Sequence, residues 1–265
     1  PPIVDIYEDE SQTAYNFSNP WNIADNVVGA SVLNEYDANS WRSQGNAYVL
    51  VEPIETLRLR TQASVDLLTM EEFFRYDDRT GDGQPNGFGE STYREQRNFN
   101  INTTLDYSDT FAGVHRIGFL GGFEFERQER NNVTASATAF PLNSFRNVAS
   151  GAEPSTTSAS VDRQSRLESY FARADYTYDD RYIFDISARI DGSSRFGEDN
   201  RYGFFPAASF AWRILEEDFM SGNNFLDEFR VRTSYGITGN DQIGFFPSLG
   251  LYGGGANYDN VPGIA

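Results

Sequence analysis

The sequence predicts an all-β fold, an antiparallel transmembrane β-barrel represented by about eight strands. Two observations carry this. Residues alternate with period two along many segments, and the charges of each segment fall on one face. The connections between segments alternate between short and long, as in outer-membrane barrels with short turns at one end and long loops at the other.

The first clean alternation is 57–66. Leu57, Leu59, Thr61, Ala63 and Val65 share a face opposite Arg58, Arg60, Gln62, Ser64 and Asp66. Preceding it, 41–52 reads as a weaker strand. From 98 to 107, Phe99, Ile101, Thr103, Leu105 and Tyr107 oppose Asn98, Asn100, Asn102, Thr104 and Asp106. After Arg116, the residues Ile117, Phe119, Gly121, Phe123 and Phe125 oppose Glu124 and Glu126. Tyr170, Ala172, Ala174, Tyr176 and Tyr178 then oppose Arg173, Asp175 and Thr177. Tyr182, Phe184, Ile186, Ala188 and Ile190 oppose Asp185, Ser187, Arg189 and Asp191. Ala208, Phe210 and Trp212 oppose Ser209 and Arg213, and Phe229, Val231, Thr233, Tyr235 and Ile237 oppose Arg230, Arg232 and Ser234.

A soluble sandwich also alternates, with its apolar face inward. The connections separate the two readings. Those at 53–56, 108–113 and 179–181 are short, whereas 68–97, 130–165 and 191–205 are expected to be long. Loops of such length are uncommon in compact soluble domains. The connection 215–228 breaks the pattern: it is long where a short turn is due, and it reads as a helical turn. Aromatic residues gather by the short turns, with Tyr107 and Phe111 at one and Tyr176, Tyr178, Tyr182 and Phe184 at another. In a barrel these form the interfacial girdle. Residues 1–40 read as an extracellular loop region, 41–238 as strands with their loops, and 239–265 as a further, truncated extracellular loop. Both ends read as cuts within a longer polypeptide.

Composition excludes some functions. Acidic residues number 39 against 21 basic ones, a net charge of −18, and every basic side chain other than the single His is Arg. Nucleic-acid binding is therefore not expected, because a phosphate backbone calls for a basic surface. The chain has no Cys, hence no disulfide framework or thiolate metal site. No run of 18 apolar residues is present, so no transmembrane helix is expected. The low mean hydropathy of −0.54 fits a barrel, whose strands turn only one face to lipid.

Few motifs point to chemistry. Asp78-Arg79-Thr80-Gly81-Asp82-Gly83 resembles the start of a calcium loop, so Asp78 and Asp82 are the candidate metal ligands. The twelfth position is Gly89, with Glu90 one place late, and an acidic solvated loop is the simpler reading. The lone His115 lacks His or Cys partners and reads as a surface residue. Glu216-Glu217-Asp218 and Asp179-Asp180 are adjacent carboxylates, better read as acidic turns than as a glycosidase pair. No catalytic or cofactor-binding residue is assigned, and no cofactor is expected. Arg58, Arg60, Arg173, Arg189, Arg230 and Arg232 are expected to pair on the polar face with Asp66, Asp175, Asp185, Asp191 or plug carboxylates.

Two dense stretches resemble a known family. One runs from Ser169-Tyr170-Phe171-Ala172-Arg173 through Arg189-Ile190-Asp191-Gly192-Ser193-Ser194-Arg195-Phe196-Gly197 and Asn200-Arg201-Tyr202-Gly203-Phe204-Phe205-Pro206-Ala207 to Ala211-Trp212-Arg213. The other is Arg232-Thr233-Ser234-Tyr235-Gly236-Ile237-Thr238-Gly239-Asn240-Asp241-Gln242-Ile243-Gly244. These resemble SusC/RagA-type TonB-linked outer-membrane receptors of the Bacteroidetes group. The resemblance implies a plugged barrel of about 22 strands, of which about eight are present here. It also implies energised import of oligosaccharides or peptides, with a SusD-like surface lipoprotein as lid, TonB acting through the plug, and outer-membrane lipid around the wall. No enzyme activity is implied. The rival readings are a soluble or surface-attached all-β glycan-binding module and an all-β glycosidase. They differ from the barrel in the direction taken by the Leu57–Val65 and Phe184–Ile190 stripes.

Overall fold

The computed structural model describes residues 5–17, 26–244, 256–258 and 261–263, with backbone only for 156–162, 256–258 and 261–263. A short helix α1 (Val27–Leu33) precedes the strands β1 (Glu35–Ile54), β2 (Leu57–Tyr76), β3 (Phe88–Phe111), β4 (His115–Thr138), β5 (Glu153–Tyr178), β6 (Tyr182–Ser193), β7 (Tyr202–Arg213) and β8 (Arg230–Gly236). These eight form one sheet whose spatial order is the chain order, a meander. A separate two-stranded hairpin joins β9 (Ala256–Tyr258) to β10 (Val261–Gly263). The expectation of about eight strands thus holds for the main sheet.

Contacts divide the chain into two compact units. One comprises 1–43, 66–97 and 129–163; the other comprises 44–65, 98–128 and 164–265. The second unit contains the clean alternations. In β2–β7 they cover 57–65, 98–107, 116–126, 169–178, 182–191 and 204–212, each nine to eleven residues long. That is the length with which a tilted strand crosses the hydrocarbon core. No Asp, Glu or Arg occupies the apolar face of any of them.

Register fixes the faces. Tyr170, Ala172, Ala174 and Tyr176 of β5 stand opposite Ile190, Ala188, Ile186 and Phe184 of β6. The same β6 residues stand opposite Phe204, Pro206, Ala208 and Phe210 of β7. Because the side-chain period is two, this one register places these apolar residues of three strands on a common face. Pro206, which has no N–H to donate, lies just past the end of the β7–β8 ladder, where its carbonyl accepts from Ile237 N at 3.0 Å.

The turns explain the short connections. Asp179 and Asp180 have φ of 51° and 53°, and Arg181 N donates to Tyr178 O at 3.0 Å. Two consecutive left-handed residues make a type I′ hairpin, whose twist matches the strands, and Asp tolerates that conformation well. Ala112 and Gly113, with φ of 50° and 72°, repeat the device between β3 and β4.

The first unit corrects the sequence expectation. Strands β2 to β5 continue through most of the expected loops 68–97 and 130–165, leaving connections of 77–87 and 139–152. The alternation fails there because both faces carry charge: Glu71 and Glu72, Arg94 and Glu95, Glu129 and Arg130, Arg163 and Arg166. Period two reports which face meets an apolar medium. It is silent on a ladder whose two faces are both wet. Side-chain pairs such as Thr92 with Thr134, 3.1 Å apart, tie neighbouring strands in this part.

Residues 1–40 are also not loop throughout. Strand β1 begins at Glu35, and α1 is capped by Asn26, whose Oδ1 accepts from Gly29 N at 3.1 Å while its Nδ2 donates to Ile6 O and Asn16 O. A Cβ at Gly29 would stand 2.7 Å from the Phe17 ring, so glycine permits the close packing of α1. In the expected terminal loop 239–265, the β9–β10 hairpin is the exception; 245–255, 259–260 and 264–265 lie outside the described residues.

Candidate functional site

Polarity in the second unit is inverted relative to a soluble core. In β6, Phe184, Ile186 and Ile190 are 46%, 62% and 42% exposed, while Asp185, Ser187, Arg189 and Asp191 between them are half-buried. Among the described residues, only Ala137, Phe140, Ala211 and Ile214 are buried hydrophobics, whereas Arg75, Asp77, Thr80, Ser169 and Ser193 are among the buried polar ones. A soluble protein does the reverse.

The polar face is held by ion pairs. Arg189 donates through Nε to Asp191 at 2.6 Å, and through Nη2 to Glu124 at 3.0 Å and Ser169 Oγ at 2.8 Å. Asn100 Nδ2 extends the chain to Glu124 at 3.1 Å. Asp185 accepts from Arg173 at 2.5 Å and from Ser209 Oγ at 3.0 Å. Two pairs, Arg173–Asp185 and Arg189–Asp191, join residues expected to pair on this face. Other partners fall outside that set: Asp66 takes Arg42 at 2.7 Å, Arg58 takes Glu52 at 2.8 Å, and Arg230 takes Glu228 at 3.1 Å. Arg60 lies over the Tyr48 ring, 4.7 Å from its centroid, and donates to Gln62.

Two aromatic residues, Phe171 and Phe205, and the glycines beside them escaped the sequence reading. The Phe171 ring fills the space that a Cβ at Gly122 would need, and the Asp175 carboxylate does the same at Gly118. Arg189 stands over Phe171 at 5.5 Å. Phe205 packs in the same way against Gly203 and Gly239. Glycine next to a large polar-face neighbour was the available signal.

Aromatic rings gather by the short turn after β5 as expected, and the cluster extends further. Tyr178 stacks on Tyr182, and Tyr182 on Trp212, at 6.3 and 6.4 Å between centroids. Phe184 meets Phe210 at 4.8 Å. His115 is no lone surface residue: its Nδ1 lies 2.8 Å from Tyr176 Oη, and its ring packs on Tyr176 and Tyr178. The connection after β7 contains one-turn 3-10 helices at Ile214–Glu216 and Asp218–Met220, matching the helical turn read from 215–228. Its Glu217 accepts from Tyr182 Oη at 2.6 Å and Trp212 Nε1 at 2.9 Å, and lies 3.4 Å from Arg181.

Those hydrogen bonds, first from Tyr182 and then from Trp212, hold the Glu217 carboxyl below the usual carboxylate range. A depressed carboxyl stabilises the fold fully above its ordinary pKa of about 4.3 and loses that contribution as pH falls through the folded value. Hydrogen-exchange mass spectrometry of the membrane protein in detergent at pH 7 is expected to show several-fold faster exchange across 214–229 in Glu217→Ala than in the parent, with Glu217→Gln between them. Unchanged exchange would show that the carboxylate does not hold this connection.

The second family-like motif closes a local latch. Ser193 Oγ donates to Asp241 Oδ2 at 3.2 Å, and Arg195 Nη1 donates to Asp241 O at 3.1 Å. A cavity of about 240 Å³ lies here, walled by residues that include Asp191, Tyr202, Phe205 and Asn240. Gly192 stands in β6 beneath the Tyr202 ring and not in a turn.

The candidate calcium residues are engaged otherwise. Asp78 accepts from Asn143 at 2.8 Å, and Asp82 is exposed. Thr80, which would supply the ligand between them, is fully buried and donates to Asn34 Oδ1 and Asp77 O. The buried carboxylate here is Asp77, held below the usual range by the hydrogen bonds of Arg79. Among the described residues, no group of three or more His, Cys, Asp or Glu side chains is placed to hold a metal.

Comparison with known proteins agrees with this geometry. The family described as TonB dependent receptor-like, beta-barrel matches residues 4–263. TonB-dependent receptor P3 of Formosa agariphila is 35% identical over 168 residues, covering 62% of this chain and 17% of the relative. TonB-dependent receptor SusC of Bacteroides thetaiotaomicron is 42% identical over 100 residues, covering 37% of this chain and 10% of SusC. Among solved structures, the RagAB peptide transporter superposes with a TM-score of 0.82 at 24% identity, over 89% of this chain and 26% of that one. The match spans about a sixth of the length of P3 and a tenth of SusC. With the family match over nearly its whole length and one apolar and one ion-paired face, the chain belongs to the TonB-dependent receptor β-barrel family, a family of outer-membrane proteins.

Proposed function

We propose that this chain is part of the barrel wall of a TonB-dependent transporter that imports oligosaccharides or peptides across the outer membrane with a SusD-like lipoprotein partner. The observation that carries this is the inverted polarity of β5–β7, with Phe184, Ile186 and Ile190 exposed and Asp185, Arg189 and Asp191 facing the other way. Such a sheet suits lipid on one side and a polar lumen on the other. The glycan-binding sandwich and the glycosidase would both need these apolar stripes buried against a second sheet. Glu217 is occupied by Tyr182 and Trp212 and offers no free acid for hydrolysis.

In this reading the wall does no bond chemistry. The pairs around Arg189 keep the lumen face in one arrangement, so that motion is confined to the plug when TonB draws on it. The connections 77–87 and 139–152 lie at the outer mouth, where the lipoprotein lid docks. Lipid covers the apolar face.

The test is extraction of the native protein from outer membranes in detergent, followed by intact mass and identification of what co-purifies. The expected result is a polypeptide several times the mass of this chain with a lipoprotein attached. A water-soluble protein of about 29.8 kDa would overturn the reading.

A further inference from the structure

We infer that a cavity in the first unit is a subsite for the acidic side chains of a peptide; this rests on the transport reading and narrows its substrate class. The cavity has a volume of about 380 Å³, within the range of ligand sites. Arg94, Arg130 and Arg163 line it, against one carboxylate, Glu95. Glu95 is itself held by Arg97 at 2.8 Å. In a chain whose net charge is −18, this concentrates positive charge at one place. Arg94 also lies 2.8 Å from Glu72, yet a guanidinium carries five donors and serves a second acceptor. The inference needs only the excess of positive charge on the wall.

Face and chemistry agree. Arg94, Gln96, Arg130 and Asn132 are an even number of residues from Asn100 and Glu124, and Arg163 is an even number from Ser169; these three belong to the polar network of the sheet. The three arginines therefore continue the polar row of their own strands β3, β4 and β5. The side-chain oxygen of Asn132, which shares that face, is buried and accepts no hydrogen bond. A buried acceptor without a donor is costly, and a ligand bringing N–H groups relieves that cost. A peptide backbone brings such groups at regular spacing, and its Asp or Glu side chains bring the planar anion that guanidinium grips in two-point fashion. Leu68 and Met70 supply an aliphatic wall. Among the described residues no aromatic ring lines the cavity, so they offer a sugar ring no stacking platform.

The experiment uses the full-length outer-membrane protein in detergent, confirmed as a folded barrel by its heat-dependent gel migration. Three synthetic peptides of equal length, alternating Ala with Asp, Asn or Arg, are titrated by calorimetry. The Asp peptide is expected to bind at least about tenfold more tightly than the Asn peptide. Its affinity should fall as NaCl is raised, and fall about tenfold or more in Arg130→Gln/Arg163→Gln with heat-dependent migration unchanged. Equal binding of the Asp and Asn peptides, or full affinity in the double variant, would overturn the inference. So would tighter, variant-sensitive binding of oligogalacturonate, which would make the cavity a site for acidic saccharides. Failure of the folded-barrel check would instead defeat the transport reading on which the inference stands.

Discussion

Ile186→Arg is expected to abolish assembly of the barrel. Ile186 lies at the centre of the apolar face of β6, 62% exposed, with Ala174 and Ala208 as its small neighbours on β5 and β7. An arginine facing lipid near the bilayer midplane costs about 2–4 kcal/mol, a large part of the stability of an ordinary domain. Small flanking alanines leave the charge without an acceptor nearby. The measurement is the fraction of protein in outer membranes that shows heat-dependent gel migration. Two companions sharpen it. Ser187→Asp, one residue along and on the polar face, should assemble as the parent does. Ile186→Phe should also assemble, because lipid adapts to a larger apolar side chain where a packed core would not. Normal assembly of Ile186→Arg would overturn the facing of the whole sheet, since the register ties all three strands together.

Arg189→Met should be the most damaging single change on the polar face. It removes the donor shared by Asp191, Glu124 and Ser169 and leaves two carboxylates close to one another. Fully buried pairs broken in this way cost about 3–5 kcal/mol, but the Arg189 side chain is 38% exposed, so solvent screening reduces the expected loss to about 1–2 kcal/mol. A lower urea midpoint for loss of the compact band would register it. Adding Glu124→Gln and Asp191→Asn to Arg189→Met should recover most of the loss, because neutral amides bond to each other without a cation. A triple variant no better than the single one would mean that Arg189 acts mainly through its contact with Phe171.

How much was legible in the sequence depends on the medium each face meets. The stripe Phe184, Ile186, Ala188, Ile190 against Asp185, Ser187, Arg189, Asp191 reads directly as a strand between two media, and the register confirms it. The same holds for the short turn at Asp179-Asp180 and the girdle around Tyr178 and Tyr182. Segments 68–76, 88–97 and 129–138 are strands too, yet water on both sides erases the alternation, and only pairing with neighbours reveals them.

Partner choice on the polar face was likewise beyond the sequence. Any of several carboxylates lay within plausible reach of Arg58, Arg189 or Arg230, and strand register decided between them. Glu217 shows this most clearly. In the sequence it is one acid of three in a row. In the fold it alone reaches Tyr182 and Trp212, because the 3-10 turns carry the chain back onto the girdle. By itself the sequence determined the strands with clean alternation and the apolar face of each, since solvation acts residue by residue along the chain. The pairs, the cavity and the latch at Asp241 were decided by tertiary structure, because they depend on distances between residues that are far apart in the chain.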